Sequence, residues 1–161
     1  MNFQVRPARP GDEYRLFALI LALARFERLE HAVTGDAERL KEHLFGPEPL
    51  ARALLAENDV GEPLGFALFF TNYSTFLTRP GVYLEDLFVT ESARGRGVGR
   101  ALLREVARIA SDGGAGRLEW AVLDWNAKAI AFYERSGATV LPDWRICRLT
   151  GDGLRRLAES T

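Results

Sequence analysis

Residues 94–100 read Arg94-Gly95-Arg96-Gly97-Val98-Gly99-Arg100, and they stand between two segments of different periodicity. Upstream, Val82 to Val89 reads as a long strand. Downstream, Leu102, Leu103, Val106 and Ile109 mark one apolar face of a helix that runs from near Gly99 through Ala110. A glycine-rich turn from strand to helix lets consecutive backbone N–H groups converge on an anion at the helix N-terminus. Gly95, Gly97 and Gly99 permit positive φ and close approach of the backbone. Arg94, Arg96 and Arg100 add charge suited to a pyrophosphate. By itself an R-x-G-x-G string is weak, and a plain solvated turn is its alternative. No Lys-Ser/Thr follows the last glycine, and the spacing is G-x-G-x-G rather than G-x-G-x-x-G. Neither the nucleoside triphosphate loop nor the dinucleotide fingerprint is present, so the implied ligand carries a pyrophosphate but is not ATP or NAD.

Outward from this loop, the rest of the chain alternates strands and helices. Phe3 to Val5 reads as a first strand closed by Arg6-Pro7, and Gly11-Asp12 offers an N-cap to an apolar helix over Tyr14 to Phe26. A second helix follows Thr34 and stops at Gly46-Pro47. Ala53–Glu57 and Leu64–Phe70 predict two strands around a turn at residues 58–63, and Thr71 to Gly81 is a polar connection to the long strand. After Gly113, Gly114 and Gly116, the alternation of Leu118, Trp120 and Val122 predicts another strand. Asp124-Trp125-Asn126 opens a helix through Arg135, with Gly137 where a C-terminal glycine belongs. Trp144–Leu149 predicts a last strand, and Leu154–Glu159 a short terminal helix. The pattern is mixed α/β, in one domain over residues 1–161.

Composition narrows the function classes. The chain of 161 residues is 47% hydrophobic and 27% charged, the mixture of a globular domain. Its 21 Lys plus Arg balance 22 Asp plus Glu, for a net charge of -1, without the basic excess of a nucleic-acid binder. One cysteine, Cys147, allows no internal disulfide, and with His31 and His43 it makes no zinc-ligand spacing. Met1 to Arg6 alternates polar with apolar residues, unlike a signal peptide, and the longest apolar run, Ala18 to Ala24, is far short of a membrane span. The expectation is a cytoplasmic, metal-free protein with neither nucleic acid nor membrane as partner.

Several segments resemble one family. The loop Arg94 to Gly99 is similar to the acetyl-coenzyme A loop (Q/R-x-x-G-x-G/A) of the GCN5-related N-acetyltransferases. Tyr83-Leu84-Glu85-Asp86-Leu87-Phe88-Val89, Ala121-Val122-Leu123-Asp124-Trp125-Asn126 and Phe132-Tyr133-Glu134-Arg135-Ser136-Gly137-Ala138 resemble the diamine acetyltransferases among them, the spermidine/spermine and thialysine N-acetyltransferases. Phe26-Glu27-Arg28-Leu29 and Phe45-Gly46 fit the same pattern, which runs in register over nearly the whole chain. Two departures concern the acceptor: residues 72–80 lack an Asp-Pro-Trp, and Phe26 stands where spermidine-type relatives often carry Tyr.

The resemblance implies a central, mostly antiparallel mixed sheet splayed at a bulge and flanked by helices, with acetyl-coenzyme A entering the splay. It implies that the backbone of Leu87, Phe88 and Val89 holds the acetyl carbonyl and pantetheine amides. Arg94, Gly95, Arg96, Gly97, Val98, Gly99 and Arg100 would hold the pyrophosphate, and Asn126 the pantetheine. Tyr133, seven residues after Asn126 and on the same helix face, would protonate the departing thiolate. An acceptor amine with a pKa near lysine's, roughly 10.4, must lose a proton at a cost of about 4–5 kcal/mol, and a carboxylate can receive it. Glu85 is the candidate base, and Glu27, Glu85 and Asp86 are candidate substrate contacts. On a strand Glu85 and Asp86 face opposite sides, so at most one points into a given cleft.

Each residue also has a plain structural reading: Tyr133 as a core aromatic, Glu85-Asp86 as edge charges, Glu27 with Glu30 as a solvated helix flank, Phe26 and Trp125 as packing. The activity implied is acetyl transfer by direct attack in a ternary complex, to a primary amine of a small cationic acceptor such as a thialysine-like amino acid, diamine or polyamine. An aminoglycoside-like or protein amino group is the alternative acceptor, and a catalytically silent acyl-coenzyme A sensor the alternative class. By resemblance the chain is expected to form a homodimer.

Overall fold

In the computed structural model, which describes residues 2–160, alternating apolar residues build a five-stranded sheet in the order β1-β2-β3-β4-β5. The chain forms two units, one ending at Ala121 and the next beginning at Val122. The first unit holds β1 (Phe3–Pro7), α1 (Glu13–Glu27), α2 (Ala37–Phe45), β2 (Arg52–Asn58), β3 (Pro63–Ser74), β4 (Arg79–Val89), α3 (Val98–Asp112) and β5 (Leu118–Glu119). The second holds α4 (Ala127–Arg135) and α5 (Gly151–Glu159). Strands β1 to β4 pair antiparallel, and β5 joins β4 in parallel.

Both sheet faces of the first unit are covered. Leu55, Phe66 and Phe88 form one core with Leu16 and Leu19 of α1 and Leu44 of α2. The residues that alternate with them, Leu54, Ala56, Ala67, Phe69 and Leu84, are buried as well. Helix α3 packs on this second set of residues through Val98, Leu102, Leu103, Val106 and Ala110. Full burial of a leucine such as Leu102 is worth about 1.5–3 kcal/mol, so each helix is held mainly by its apolar stripe.

Three expectations change. The polar connection at residues 71–81 is mostly sheet: β3 and β4 pair as far as Ser74 and Arg79, leaving a turn of residues 75–78. Buried Ser74 holds that turn by accepting the Leu77 N–H through Oγ at 3.2 Å, and Thr78 takes a positive φ of 50°. The strand expected from Leu118 to Val122 pairs only at Leu118 and Glu119. Residues 144–149 form no strand, because no neighbouring strand supplies their ladder, and β-propensity without a partner does not fix an extended segment.

Asp12 precedes α1 as expected, but its carboxylate does not cap the helix. It accepts two bonds from Arg6, at 2.6 and 3.0 Å, one from Arg15 at 2.9 Å and one from the Arg9 N–H at 3.0 Å. Glu57 on β2 accepts from the same Arg6 at 2.8 and 3.0 Å, from Arg15 at 2.8 Å and from Gln4 at 3.1 Å. This cluster ties β1, β2 and the start of α1 together. Hydrogen bonds from Arg6 hold both carboxyls well below the usual range, at about 2, against the opposing effect of burial.

A group whose folded pKa is lowered stabilises the fold above its unfolded pKa, and the contribution fades as pH falls through the folded value. Arg6→Met leaves two buried carboxylates short of their main partner. It should lower the unfolding free energy in urea at pH 7 by about 3–5 kcal/mol. The gap to the unaltered protein should shrink as pH falls from about 5 toward 2; a gap independent of pH would show that the loss is packing alone.

Candidate active site

The site begins at an irregularity in β4. Phe69 pairs with Leu84 and Leu68 with Asp86, so Glu85 is an extra residue with no partner in β3. The bulge shifts the alternation by one: Val82 and Leu84 share a face with Leu87 and Val89, whereas Tyr83 shares the other with Asp86 and Phe88. The parallel pairing with β5 reaches only Tyr83, so beyond it no strand pairs with that edge of β4 among the described residues. Gly65 of β3 lies against this segment. A Cβ there would sit 2.4 Å from the Phe88 carbonyl oxygen, so only glycine lets the two strands approach so closely.

A 3₁₀ turn (Glu91–Ala93) leads from β4 into the glycine loop. Gly95 and Gly97 take φ of 73° and 86°, and nothing lies within 4 Å of where their Cβ atoms would be. These glycines answer a conformational need rather than a lack of space. Gly97 precedes α3, which has neither a side-chain cap nor an acidic residue in its first turn. The helix therefore presents the positive end of its dipole and uncapped N–H groups at the loop. Val98 is buried beneath it, Gly99 is half-buried, and Arg94, Arg96 and Arg100 are exposed.

Arg94 connects the loop to α1. Its Nε donates to the Val89 carbonyl oxygen at 3.1 Å, and its guanidinium lies over the rings of Phe26, 4.6 Å from the centroid, and Phe88, at 5.8 Å. Around this stack is an open depression of about 460 Å³, lined by Ala22, Arg25, Phe26, Phe88, Thr90, Glu91 and Arg94. Phe26, read from the sequence as packing, is thus a wall of the depression. Arg25, Thr90 and Glu91 carried no sequence signal, since only the fold brings the end of α1 to the end of β4.

The acidic residues divide by environment. Glu85 is exposed, whereas Asp86 is half-buried on the face that α1 covers. Burial first, then the charges of Glu85 and Glu27, push the Asp86 carboxyl up to about 6. Glu27, the last residue of α1, is also raised by burial. The structure therefore gathers Glu27, Asp86, Phe88 and the loop around one end of the first unit.

The other two residues expected at the site from the sequence, Asn126 and Tyr133, belong to the second unit. Asn126 caps α4, its Oδ1 accepting the Ala129 N–H at 3.2 Å. Tyr133 is half-buried on that helix, beside Phe132 with ring centroids 5.2 Å apart. Gly137 ends the helix with φ of 93°, and the Ala138 N–H returns to the Tyr133 carbonyl oxygen at 3.0 Å, as a glycine-terminated helix requires. Among the described residues, no group of three or more His, Cys, Asp or Glu could hold a metal ion, and no helix is long and apolar enough to cross a membrane.

Comparison with known proteins bears on what this arrangement serves. The acetyltransferase (GNAT) family profile matches residues 17–138. The chain is 37% identical to the thialysine N-epsilon-acetyltransferase of Bos taurus, over 96% of each chain. It is 34% identical to the L-ornithine N5-acetyltransferase of Arabidopsis thaliana, over 98% of this chain and 88% of that one. Among solved structures, an integron cassette protein from the mobile metagenome of V. cholerae superposes with a TM-score of 0.82 at 27% identity, over 99% of each chain. The bulged strand, the glycine loop at the helix start and this agreement along nearly the whole sequence have one common explanation: the chain belongs to the acetyltransferase (GNAT) family and is an N-acetyltransferase.

Proposed function

We propose that the protein transfers acetyl from acetyl-coenzyme A to the primary amine of a small cationic acceptor, a thialysine-like amino acid, diamine or polyamine, by direct attack in a ternary complex. The observation that carries the proposal is the β4 edge without a strand partner beyond Tyr83, leading into a glycine loop at an uncapped helix start. The names of the relatives, acetyltransferases of thialysine and ornithine, support a small amine as acceptor. The proposal includes one domain over residues 1–161, supported by a family match over residues 17–138 that begins in the first unit and ends within the second, and a homodimer in the cytoplasm.

Acetyltransferases of this family use acetyl-coenzyme A as co-substrate. The residues present fit it: the loop has the positive φ values, the open space over both glycines and the acid-free helix start that a pyrophosphate needs. Arg94 to Arg100 would hold that group, the backbone of Leu87, Phe88 and Val89 the acetyl carbonyl and pantetheine amides, and Asn126 the pantetheine. When bound, acetyl-coenzyme A supplies the acetyl group as a thioester.

The chain's own residues would do the rest. Backbone N–H groups near Leu87 or Val89 stabilise oxyanion charge. Glu27, Glu85 and Asp86 attract the acceptor's cation, and Glu85 takes its proton. Tyr133 holds a phenolic proton for the leaving sulfur. Cys147 is exposed on a segment without strand pairing, and no role as an acyl-carrying nucleophile is assigned to it.

Coenzyme A thiol release, measured against thialysine, ornithine, lysine, putrescine, spermidine, an aminoglycoside and a peptide, tests the acceptor class. Preference for the amino acids or diamines is the expected outcome, and turnover of the drug or peptide alone would overturn it. Tyr133→Phe should keep acetyl-coenzyme A affinity and lose about 10²–10⁴-fold in kcat; unchanged turnover removes Tyr133 as the acid. Arg94→Ala removes one charge-assisted contact, for which a Kd about ten- to a hundredfold weaker for acetyl-coenzyme A is expected in calorimetry. An unaltered Kd would show that Arg94 does not hold the pyrophosphate.

A further inference from the structure

The ring of Phe26 is placed by the end of its helix and met by a cation. Phe66, Phe69 and Phe88 are buried in the core, whereas Phe26, in the last turn of α1, is 40% exposed. Buried Ala24 seats that turn. Arg28 follows it in the left-handed region with φ of 60°, and the Leu29 N–H returns to the Ala24 carbonyl oxygen at 2.8 Å. The Arg94 guanidinium lies 4.6 Å from the Phe26 ring centroid and 5.8 Å from that of Phe88. Its Nε donates to the Val89 carbonyl oxygen at 3.1 Å, and the Arg94 backbone N–H to the Glu91 carbonyl oxygen at 3.2 Å. Among the described residues, no hydrogen bond or ion pair engages Nη1 or Nη2 of Arg94, although Glu91 lines the same depression. Arg94 is thus fixed at its backbone, at Nε and against two rings, with its two outermost nitrogens uncommitted.

We propose that Phe26 is a positioning residue for the cofactor: it acts through Arg94, holding the guanidinium at the end of β4 so that Nη1 and Nη2 are kept for the pyrophosphate of acetyl-coenzyme A. This rests on the reading of the glycine loop as the pyrophosphate site. The face of an aromatic ring attracts a guanidinium, and the attraction grows as water is excluded from the pair. A long side chain ordered before its ligand arrives spares the complex the cost of ordering it. Phe88 is fixed by the core, and Val89 by its pairing with the start of β3, so Phe26 is the hold that α1 adds. A wall for the acceptor, or plain packing, would use the bulk of Phe26. Positioning of Arg94 uses the face of its ring, and only that use depends on Arg94 being present.

The test is the Kd of acetyl-coenzyme A, by calorimetry and without an acceptor, for Phe26→Leu, Arg94→Ala and the two combined. Phe26→Leu should weaken the Kd about two- to tenfold. In the Arg94→Ala background the same change should have no further effect, because the contact it removes is already gone. Phe26→Tyr keeps the ring face and should keep the affinity of the unaltered protein. With an accepted amine, the loss in Phe26→Leu should fall on the KM for acetyl-coenzyme A and not on kcat or on the KM of the amine. An unaltered Kd in Phe26→Leu, an equal weakening in both backgrounds, or a change confined to the KM of the amine overturns the assignment. If Phe26→Leu does not fold, Phe26→Tyr decides: a retained Kd supports the ring face, and a weakened one overturns it. Should Arg94→Ala itself leave the Kd unaltered, the pyrophosphate reading falls and this assignment with it. A weaker Kd in Arg94→Ala beside an unaltered one in Phe26→Leu overturns the assignment only.

Discussion

One extra residue in β4 is the constraint on which the site depends. A strand without it would carry Leu84, Asp86 and Phe88 on one face, and Glu85 and Leu87 on the other. With Glu85 left out of the ladder, Leu84 and Leu87 both face α3, and Asp86 follows Tyr83 and Phe88 to the side of α1. The same shift comes two residues beyond the last pairing with β5. A bulge bends its strand and strengthens the local twist, so β4 carries its backbone groups past the point where a straight neighbour could follow. Chain reversal is not needed to make the opening; a single unpaired residue does it.

Four carboxylates of the first unit fall into two opposite settings. Asp12 and Glu57 are saturated by Arg6 and Arg15, and their charge fastens β1, β2 and α1. Arg6 is held in place by both at once, so its own desolvation is offset by several bonds rather than one. Asp86 and Glu27 receive no such cation, and burial raises both. An unneutralised carboxylate lowers the stability of the fold at neutral pH, because its raised pKa favours the folded state only while it stays protonated. The anchor and the site lie at opposite extremes of one electrostatic balance.

Much of this was legible in the sequence, for identifiable reasons. The faces of α1 and α3 are written in residues three and four apart, and Gly97 and Gly137 mark a helix start and a helix end that need positive φ. The strands β2 and β4 show as short, largely apolar runs bounded by turn residues. The bulge was not legible from periodicity, because an extra residue in an eight-residue run leaves no mark until its partner strand is known; only the family resemblance anticipated it. The same blindness explains Asp12, whose position suits a cap while its true partners are Arg6 and Arg15, and Arg6 is set by the pairing of β1 with β2, where it also meets Glu57. Trp144 to Leu149 has the composition of a strand, but composition does not supply a neighbour. The stacking of Arg94 on Phe26 left no mark in the sequence, because Arg94 lies far along the chain and meets Phe26 only when α1 and β4 end side by side.

Strand and loop behave as one positioning element. Val89 closes β4, and its carbonyl accepts from Arg94 at the head of the loop. Gly65 draws β3 against the Phe88 carbonyl, which fixes the backbone of the same short segment from the other side. The Arg94 guanidinium then lies over Phe26 and Phe88, so the orientation of the loop is referred to both α1 and β4. Side-chain charge alone would attract an anion without placing it. Placement comes from the backbone of Gly95 and Gly97, whose φ values no other residue takes without strain, and from the acid-free start of α3. Because α3 is seated by Val98 and Leu102 on the sheet that carries the bulge, any movement of the loop relative to Asp86 must disturb that packed face. Close packing resists such movement, so the spacing between the glycine loop and the bulged carboxylate is set by the core and not by the residues that would contact a ligand.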